Sequence, residues 1–326
     1  MATPRLIVTP VDVGYLGVSG AGAAFAVSQG DSSGAAVLVE SGPAVCLPAL
    51  EAGLRAAGVD PARIPHVLVT HVHLDHAGAA GHFAARGAHV WVHPRGARHL
   101  ADPARLVAGT RAVHGSRFDA EYGMPMPIDA ARVHPVEDGG HVTDALGAQA
   151  IATPGHARHH HAWVLRDAER AHVFTGDVTG ILLPRGSAPP SGGCARFLAV
   201  PMPPSDMDVA EWRESIARLE SLVDAEERAG RGVTLWLTHG GAAADARAHL
   251  EELRARLDEE HAMCASICAE GLVPSAVPSA EGIDRYARWL WPRADSAGVQ
   301  PHHRAAFLGP AFLRMNLAGV AQELSR

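Results

Sequence analysis

The residues of this sequence best suited to chemistry lie in one short segment, HVHLDH at residues 71–76. It offers three imidazoles and a carboxylate, all common metal ligands. A helix would spread these side chains around its circumference, and a strand would send Asp75 and His76 to opposite faces. Only a tight loop lets all four converge. Chance produces this pattern in about one of two hundred chains of this composition, so it predicts a metal site.

Three later segments share one arrangement, in which an apolar strand runs into a turn containing Thr or Gly and delivers one ligand. They are Thr153-Pro154-Gly155-His156, Thr175-Gly176-Asp177 and Thr238-His239-Gly240. Together the four segments supply five imidazoles and two carboxylates, a donor set that suits Zn, Fe or Mn rather than Mg or Ca. Seven ligands are too many for one tetrahedral ion. They predict two divalent metal ions, with Zn preferred, each keeping a position open for water or substrate.

In this order, the motifs HVHLDH, TPGH, TGD and THG resemble those of the metallo-β-lactamase-fold metallo-hydrolase superfamily, over roughly residues 5–241. The resemblance implies an α/β fold, an αββα sandwich of two mixed β-sheets flanked by helices, with the metals at one sheet edge. It implies that His71, His73 and His156 hold the first metal. Asp75, His76 and His239 would hold the second, and Asp177 would bridge the two.

Two further positions beside these motifs are expected to support the ligands. His160 lies four residues after His156, where glyoxalase II also tends to carry His, and is expected to stand behind the ligands. Glu40 stands where many members have the Asp of an Asp-x-Gly turn, so the hydrogen bonds around the metals are expected to differ. His159 and His161 are expected on a turn and on a strand surface.

The elements that must position these turns can be read from the apolar runs. Short strands separated by turns over residues 5–50 predict an antiparallel sheet, with one strand at 45–47. Helices are predicted at 49–58 and 78–86, and along Trp212, Ile216, Leu219 and Val223. Strands are predicted before each ligand turn, at 66–70, 148–152, 161–165, 172–174 and 233–237.

The chain divides into a core at 1–241 and a helical region at 242–326, which would pack on the core or on the partner of a homodimer. Cys264 and Cys268 extend an apolar stripe of that region and are expected in its core. Residues 94–138 read as a long irregular connection, a lid-like insertion over the metals. Its candidate substrate contacts are Arg98, Arg111, His114 and Tyr122.

Composition narrows the function. Among 326 residues there are 21 His and no Lys, so Schiff-base and phosphate-loop lysine chemistry are excluded. A net charge of -7 argues against a nucleic-acid partner. The absence of an 18-residue apolar run argues against a membrane partner. Four cysteines and no recognisable export signal predict a cytoplasmic protein acting on a small-molecule substrate.

The predicted activity is metal-dependent hydrolysis, in which a metal-bridging hydroxide attacks an ester, thioester, lactone or related bond. Asp75 and Asp177 would be the catalytic carboxylates, with Asp75 also moving a proton to the leaving group. The resemblance favours a glyoxalase II-like or lactonase-like branch. Gly180, however, replaces the Tyr that lactonases usually carry, and only Ala311–Arg314 matches the C-terminal motif of glyoxalase II.

Three alternatives to hydrolysis of an ester, thioester or lactone stay open at this point. The first is a mononuclear iron dioxygenase-like oxidoreductase acting on sulfur or a persulfide, although its Arg-rich stretch has no match here. The second is a phosphodiesterase, which the acidic charge disfavours. The third is a non-catalytic binding module, which the full set of seven ligands disfavours.

Overall fold

The computed structural model describes residues 5–30, 37–184 and 196–326. Cys194, one of the four cysteines, lies outside these ranges, as does Ala36, the first residue of one of the short strands predicted within residues 5–50, at 36–39. Six strands form the first sheet, in the order in which they occur in the chain. They are β1 (Leu6–Asp12), β2 (Ala23–Gln29), β3 (Val37–Val39), β4 (His66–Leu68), β5 (His89–Val92) and β6 (Val133–Pro135). The pairs β1/β2 and β2/β3 are antiparallel and the remaining pairs are parallel.

The second sheet also has six strands in the described part of the chain. In chain order they are β7 (His141–Val142), β8 (Ala148–Ala152), β9 (His161–Arg166), β10 (Arg170–Gly176), β13 (Gly232–Leu237) and β14 (Gly241–Ala243). Only β10 and β13 pair in parallel. A separate two-stranded ribbon joins β11 (Ile181–Pro184) to β12 (Arg196–Ala199). Both large sheets are therefore mixed, as predicted.

The two sheets pack face to face through side chains that alternate along each strand. On β4, Leu68 points between the sheets, whereas its neighbour Val67 points to the helices. Phe25 and Phe174, from opposite sheets, lie with ring centroids 5.3 Å apart. These residues and Trp163 are almost completely buried, so an apolar layer fixes one sheet over the other.

Helices cover the outer faces of the sheets. They are α1 (Leu47–Ala56), α2 (Leu74–Ala77), α3 (Ala80–Ala84), α4 (Pro94–Ala101), α5 (Ala104–His114), α6 (Phe118–Glu121), α7 (Val209–Arg228), α8 (Ala246–Ala269), α9 (Ala280–Ser296), α10 (Pro301–Phe307) and α11 (Pro310–Leu324). None of those in the described ranges is both long and apolar enough to cross a bilayer. This arrangement is the predicted αββα sandwich with helices at its C-terminal end.

The helix predicted from Trp212, Ile216, Leu219 and Val223 is confirmed, since all four side chains are buried on one face of α7. The strand predicted at 45–47 is wrong. A 3₁₀ turn at Ala44–Cys46 leads there directly into α1.

The irregular structure predicted for residues 94–138 is also wrong. Three helices, α4 to α6, occupy 94–121, and β6 adds an edge strand to the first sheet. Pro94 suits the first turn of α4, and the His93 imidazole caps that turn by accepting a hydrogen bond from the Arg95 amide. The role of the segment as a lid stays a prediction.

The C-terminal helices share the core of the preceding sandwich. On α8, Leu250, Leu253, Leu257 and Cys264 are fully buried, and Cys268 is partly buried. The second sheet itself continues to Ala243, because β14 pairs with β13. The boundary at 241/242 stays a prediction.

Candidate metal centre

The predicted ligands all follow strands that end at the same edge of the sandwich. Residues 71–76 follow β4, and α2 begins within that motif. His156 follows β8, Asp177 follows β10 and His239 follows β13. Because β8, β10 and β13 run in one direction, their C-terminal ends bring these three turns together.

The turn that carries His156 needs glycine at the preceding position. Gly155 has a φ of +131°, and a Cβ there would lie 2.3 Å from the Cα of Trp212 on α7. Asp177 depends on a similar close approach, since a Cβ on Gly176 would lie 2.3 Å from the hydroxyl of Thr70. In the TPGH and TGD motifs, the glycine is therefore required by close packing, and the residue after it is the predicted ligand.

The first group of ligand atoms comprises three imidazole nitrogens. His73 Nδ1 lies 2.9 Å from His71 Nε2 and 3.1 Å from His156 Nε2. Burial lowers the pKa of His71 well below its ordinary value and lowers the pKa of His73 to about 3. These rings are therefore neutral at physiological pH, which is the form that binds metal.

Hydrogen bonds on the far side of each ring set the tautomer in this group. His156 Nδ1 donates to the carbonyl of Pro201 over 2.9 Å, and a carbonyl can only accept. The Thr70 hydroxyl donates to Glu40 and therefore accepts from His71 Nδ1, at 3.1 Å. The Nε2 lone pairs of His71 and His156 thus point into the group.

The second group combines one carboxylate and two imidazoles. Asp75 Oδ2 lies 3.5 Å from His239 Nε2 and 3.9 Å from His76 Nε2. His239 Nδ1 donates to the carbonyl of Ala21 over 2.6 Å, which leaves its Nε2 lone pair facing Asp75. The side chain of Asp75 keeps 20% of its surface exposed, so this group opens toward solvent.

Asp177 lies between the two groups. Its Oδ2 is 3.4 Å from His156 Nε2 in the first group. Its Oδ1 is 3.2 Å from His76 Nε2 and 3.5 Å from His239 Nε2 in the second. One carboxylate thus reaches candidate ligands of both groups, and its bridging of two metals stays a prediction.

The charge balance of the centre is set by opposing effects. Burial acts to raise the pKa of Asp177, but the neighbouring His76, His239 and His156 outweigh it and hold that pKa well below its usual range. Burial acts to lower the pKa of His76, but Asp177 and Asp75 outweigh it and raise that pKa well above its usual range. The buried carboxylates of Asp177 and Asp75 therefore favour positive charge at this centre.

Two buried atoms test whether the residues fit a metal. His76 Nε2 and Asp177 Oδ1 lie 3.2 Å apart but are not aligned for a hydrogen bond, and neither has another hydrogen-bond partner among the residues that the structure describes. Unpaired buried polar atoms are costly, and a divalent cation would satisfy both. Mixed imidazole and carboxylate ligands suit Zn, Fe or Mn. Three overlapping sets of three side chains can be drawn from these residues, and within each set the ligand atoms lie within 4.8 Å of one another. The residues present therefore fit bound metal.

Glu40 ties the ligand turns together from behind. Its fully buried Oε1 accepts hydrogen bonds from Thr70 Oγ1 at 2.5 Å, His76 Nδ1 at 3.1 Å and Thr238 Oγ1 at 3.3 Å. Its backbone has a φ of +63°, in the left-handed region. One carboxylate thus orients His76 and joins the turns after β4 and β13.

The neighbouring histidines are more buried than predicted. His160 packs against His71 with ring centroids 4.9 Å apart, and its Nδ1 is hydrogen-bonded to Thr153 at 2.8 Å. The surface placement of His159 and His161 is wrong, because they are 6% and 1% exposed. All three histidines of this run are buried beside the candidate ligands, so polarity alone was a poor guide to exposure.

The four candidate substrate contacts differ in burial and in hydrogen-bond partners. Tyr122 is buried, and its hydroxyl is hydrogen-bonded to His114 Nε2 at 3.1 Å. Arg111 is exposed and paired with Asp119 at 2.7 Å. Arg98 is exposed on α4 and donates to its neighbour His99.

Tyr15 is a site residue that sequence reasoning missed. Its ring lies 6.2 Å from that of His239 and 6.0 Å from that of Tyr122. Burial, followed by the carboxylate of Asp75, raises the pKa of Tyr122 well above its ordinary value. Both phenols are therefore protonated hydrogen-bond donors near Asp75. Only the turn-rich N-terminal sequence could have signalled Tyr15.

Comparison with known proteins agrees with this geometry. The family model described as the Metallo-beta-lactamase superfamily matches residues 21–228, more than half of the chain. The search of curated proteins finds no match.

Solved structures show the same fold. A metallo-beta-lactamase family protein from Thermus thermophilus has a TM-score of 0.56 at 21% identity, covering 96% of this chain and 91% of that one. An archaeal metallo-beta-lactamase superfamily protein from Sulfolobus tokodaii has a TM-score of 0.54 at 18% identity, covering 79% and 86%. A subclass B3 metallo-beta-lactamase isolated from a soil metagenome library has a TM-score of 0.52 at 21% identity, covering 82% and 96%. At these identities the similarity concerns the fold.

Proposed function

Because this chain belongs to the metallo-β-lactamase superfamily, we propose that it is a metallo-hydrolase with two divalent metal ions, most simply Zn. The observation that carries the proposal is the placement of Asp177 between two ligand groups, with one oxygen 3.4 Å from His156 and the other 3.2 Å from His76. A single-metal site would not need a carboxylate that reaches both groups.

Two divalent cations bound there would acidify a water molecule and polarise the bond to be hydrolysed. The protein residues supply the remaining functions. His71, His73 and His156 would hold one metal, and Asp75, His76 and His239 the other. The buried hydrogen bonds behind the imidazoles hold the rings in place before substrate arrives, which reduces reorganisation during the reaction.

Asp75 is the ligand best placed to move a proton. Its side chain is partly exposed, whereas that of Asp177 is almost fully buried. The Tyr15 ring lies 6.2 Å from that of His239, in the same group as Asp75, and its hydroxyl would be a hydrogen-bond donor to a substrate oxygen. A leaving group that collects near Asp75 would thus meet both a proton carrier and a hydrogen-bond donor.

We propose a small molecule with an ester, thioester or lactone bond as the substrate, in a glyoxalase II-like or lactonase-like reaction. The rings of Tyr15 and Phe307 lie 6.2 Å and 6.1 Å from that of His239. These aromatic walls favour an organic acyl group over a highly charged polymer. The formal charge of -7 supports the same choice over nucleic acid or a membrane surface.

The test combines metal analysis with a substrate screen. The chain is purified without added metal, its Zn, Fe and Mn contents are measured, and it is assayed on esters, thioesters, lactones and phosphodiesters. We expect two metals per chain and turnover of an ester, thioester or lactone that is independent of oxygen. One iron per chain with oxygen-dependent turnover would overturn the proposal.

We also propose a cellular location and an oligomeric state. The few cysteines support a cytoplasmic location, which fractionation of the source cells would test. The helical region from 242 offers surface for a homodimer, and sedimentation equilibrium would distinguish a dimer from a monomer.

A further inference from the structure

A buried amide on α11 holds the segment that orients a predicted metal ligand. Asn316 is the only Asn of the chain and is fully buried. Its Oδ1 accepts from the Met202 amide at 2.8 Å, and its Nδ2 donates to the Val200 carbonyl at 2.8 Å. Between these two residues, the Pro201 carbonyl accepts from His156 Nδ1 at 2.9 Å. Asn316 therefore brackets the peptide that fixes the His156 ring.

The amide is itself held by two other helices. Asn316 Nδ2 lies 2.9 Å from the Tyr286 hydroxyl on α9 and 3.2 Å from Glu260 Oε1 on α8. The Tyr286 hydroxyl donates to that same carboxyl group. These side chains are completely buried. Three helices are thus joined to one peptide segment through connected hydrogen bonds that meet at Asn316.

Close backbone packing leaves this segment little freedom to move. A Cβ added to Gly319 on α11 would lie 2.2 Å from the Met202 carbonyl oxygen. The helix therefore touches the segment directly, one turn beyond Asn316. A shift of either would break the packing as well as the hydrogen bonds.

We propose that Asn316 is a positioning residue for the metal centre, which acts through Pro201 to aim the Nε2 lone pair of His156 at the first metal. The inference rests on the proposed function, since it requires metal at the group of His71, His73 and His156. Residues behind a ligand fix its tautomer and ring orientation. Here that role extends one step further, to a helix more than a hundred residues away in the sequence.

The test is a Co²⁺ titration of the full chain stripped of metal, followed by visible absorption, which reports ligand geometry. In Asn316→Ala we expect the first metal to bind about tenfold more weakly, the lower end of the range for outer partners, with altered absorption bands. Tyr286→Phe should shift both readouts in the same direction by less. Affinity at the group of Asp75, His76 and His239 should stay within twofold.

Gln322→Ala is the matched control. Gln322 also lies on α11 and accepts from the amide of Ser205 at 2.9 Å, so it loses one bond between the same helix and the same connecting segment. It does not touch residues 200–202, and its titration and absorption bands should match those of the wild type.

Other results would overturn the inference. If Asn316→Ala and Tyr286→Phe keep wild-type affinity and bands, Asn316 has no positioning role. The same conclusion follows if both metals weaken equally, or if Gln322→Ala changes the bands as much. If Asn316→Ala fails to fold, Tyr286→Phe alone decides. A wild-type chain that binds no Co²⁺ would overturn the proposed function and the inference with it.

Discussion

At the scale of single residues, groups outside the recognisable motifs decide how the ligands are presented. His156 and His239 each donate Nδ1–H to a backbone carbonyl, that of Pro201 or Ala21. The carbonyls force both rings to offer Nε2 to the centre. The motifs supply the ligand atoms, and the surrounding backbone supplies their direction.

Asp177→Asn tests the bridging role with little change in shape. The amide nitrogen cannot coordinate as a carboxylate oxygen does, so we expect loss of the second metal and a fall in kcat/KM of at least about a hundredfold, since losing an outer partner alone costs 10–100-fold. Metal content and turnover are measured on the same preparation. Two metals and normal turnover in this variant would contradict the assignment.

Glu40→Gln tests the support behind His76. The amide keeps the size of the side chain and removes the charge that accepts three hydrogen bonds. We expect the metal held by Asp75, His76 and His239 to bind 10–100-fold more weakly, with a smaller loss at the first metal, whose ligand His71 is linked to Glu40 only through Thr70. A competition titration with a chromogenic chelator measures both affinities. Equal weakening at the two sites would argue for a general loss of structure.

The sequence predicted the seven ligands because each lies inside a short local pattern. It could not predict Ala21, Pro201 or Asn316 as their partners. The bond from His239 to Ala21 spans 218 residues, and that from Met202 to Asn316 spans 114. Such pairs depend on how sheets and helices pack, which no local spacing records.

At the scale of elements, buried strands were easier to predict than short helices. The strand at Ala148–Ala152 matches its prediction, because a short apolar run bounded by turn residues is typical of a buried strand. Helices α5 and α6 lack such a signal. No residue of α5 is buried, so the periodicity that marks a core-facing helix is missing there.

Glu260 on α8 links element packing to pH. Burial raises its pKa from 4.5 to about 7, although Arg256 and hydrogen bonds from Tyr286 and Asn316 oppose this, and the Cys264 thiol lies nearby. Between these pH values the folded chain binds more protons than the unfolded chain. The contribution of the protonated Glu260 carboxyl group to the free energy of unfolding is complete below pH 4.5. It is lost as pH rises through 7, which lowers the free energy of unfolding by about 3 kcal/mol.

The measurement is the free energy of unfolding in urea from pH 5 to pH 8, for wild type and Glu260→Gln without metal. Other titrating groups contribute to both proteins, so the difference between the two curves isolates Glu260. We expect wild-type stability to fall relative to the variant as pH rises. Parallel curves would show that the carboxyl group titrates outside this range.

At the scale of the whole molecule, the C-terminal helices and the sandwich share one core. Leu250, Leu253 and Leu257 on α8 belong to the same buried cluster as Ile216 on α7 and Leu198 on β12. Ion pairs join α7 to α8 at the surface, including Arg213 to Asp258 at 2.8 Å. Asn316 extends the connection to the metal centre. We therefore expect the candidate metal centre to depend on helices outside the segment that carries its predicted ligands.

Deleting residues 242–326 tests this dependence. Each buried leucine contributes about 2 kcal/mol, so losing three of them alone approaches the ~5–15 kcal/mol by which whole domains are stable. The deletion also uncovers Leu198, Val200 and Met202. We expect the 1–241 chain to be insoluble, or to lack near-UV circular dichroism, although it keeps all seven ligands. The full-length chain prepared in parallel is the control. A soluble 1–241 chain that unfolds cooperatively and binds two metals would show that the core is independent, and that the C-terminal helices serve another purpose.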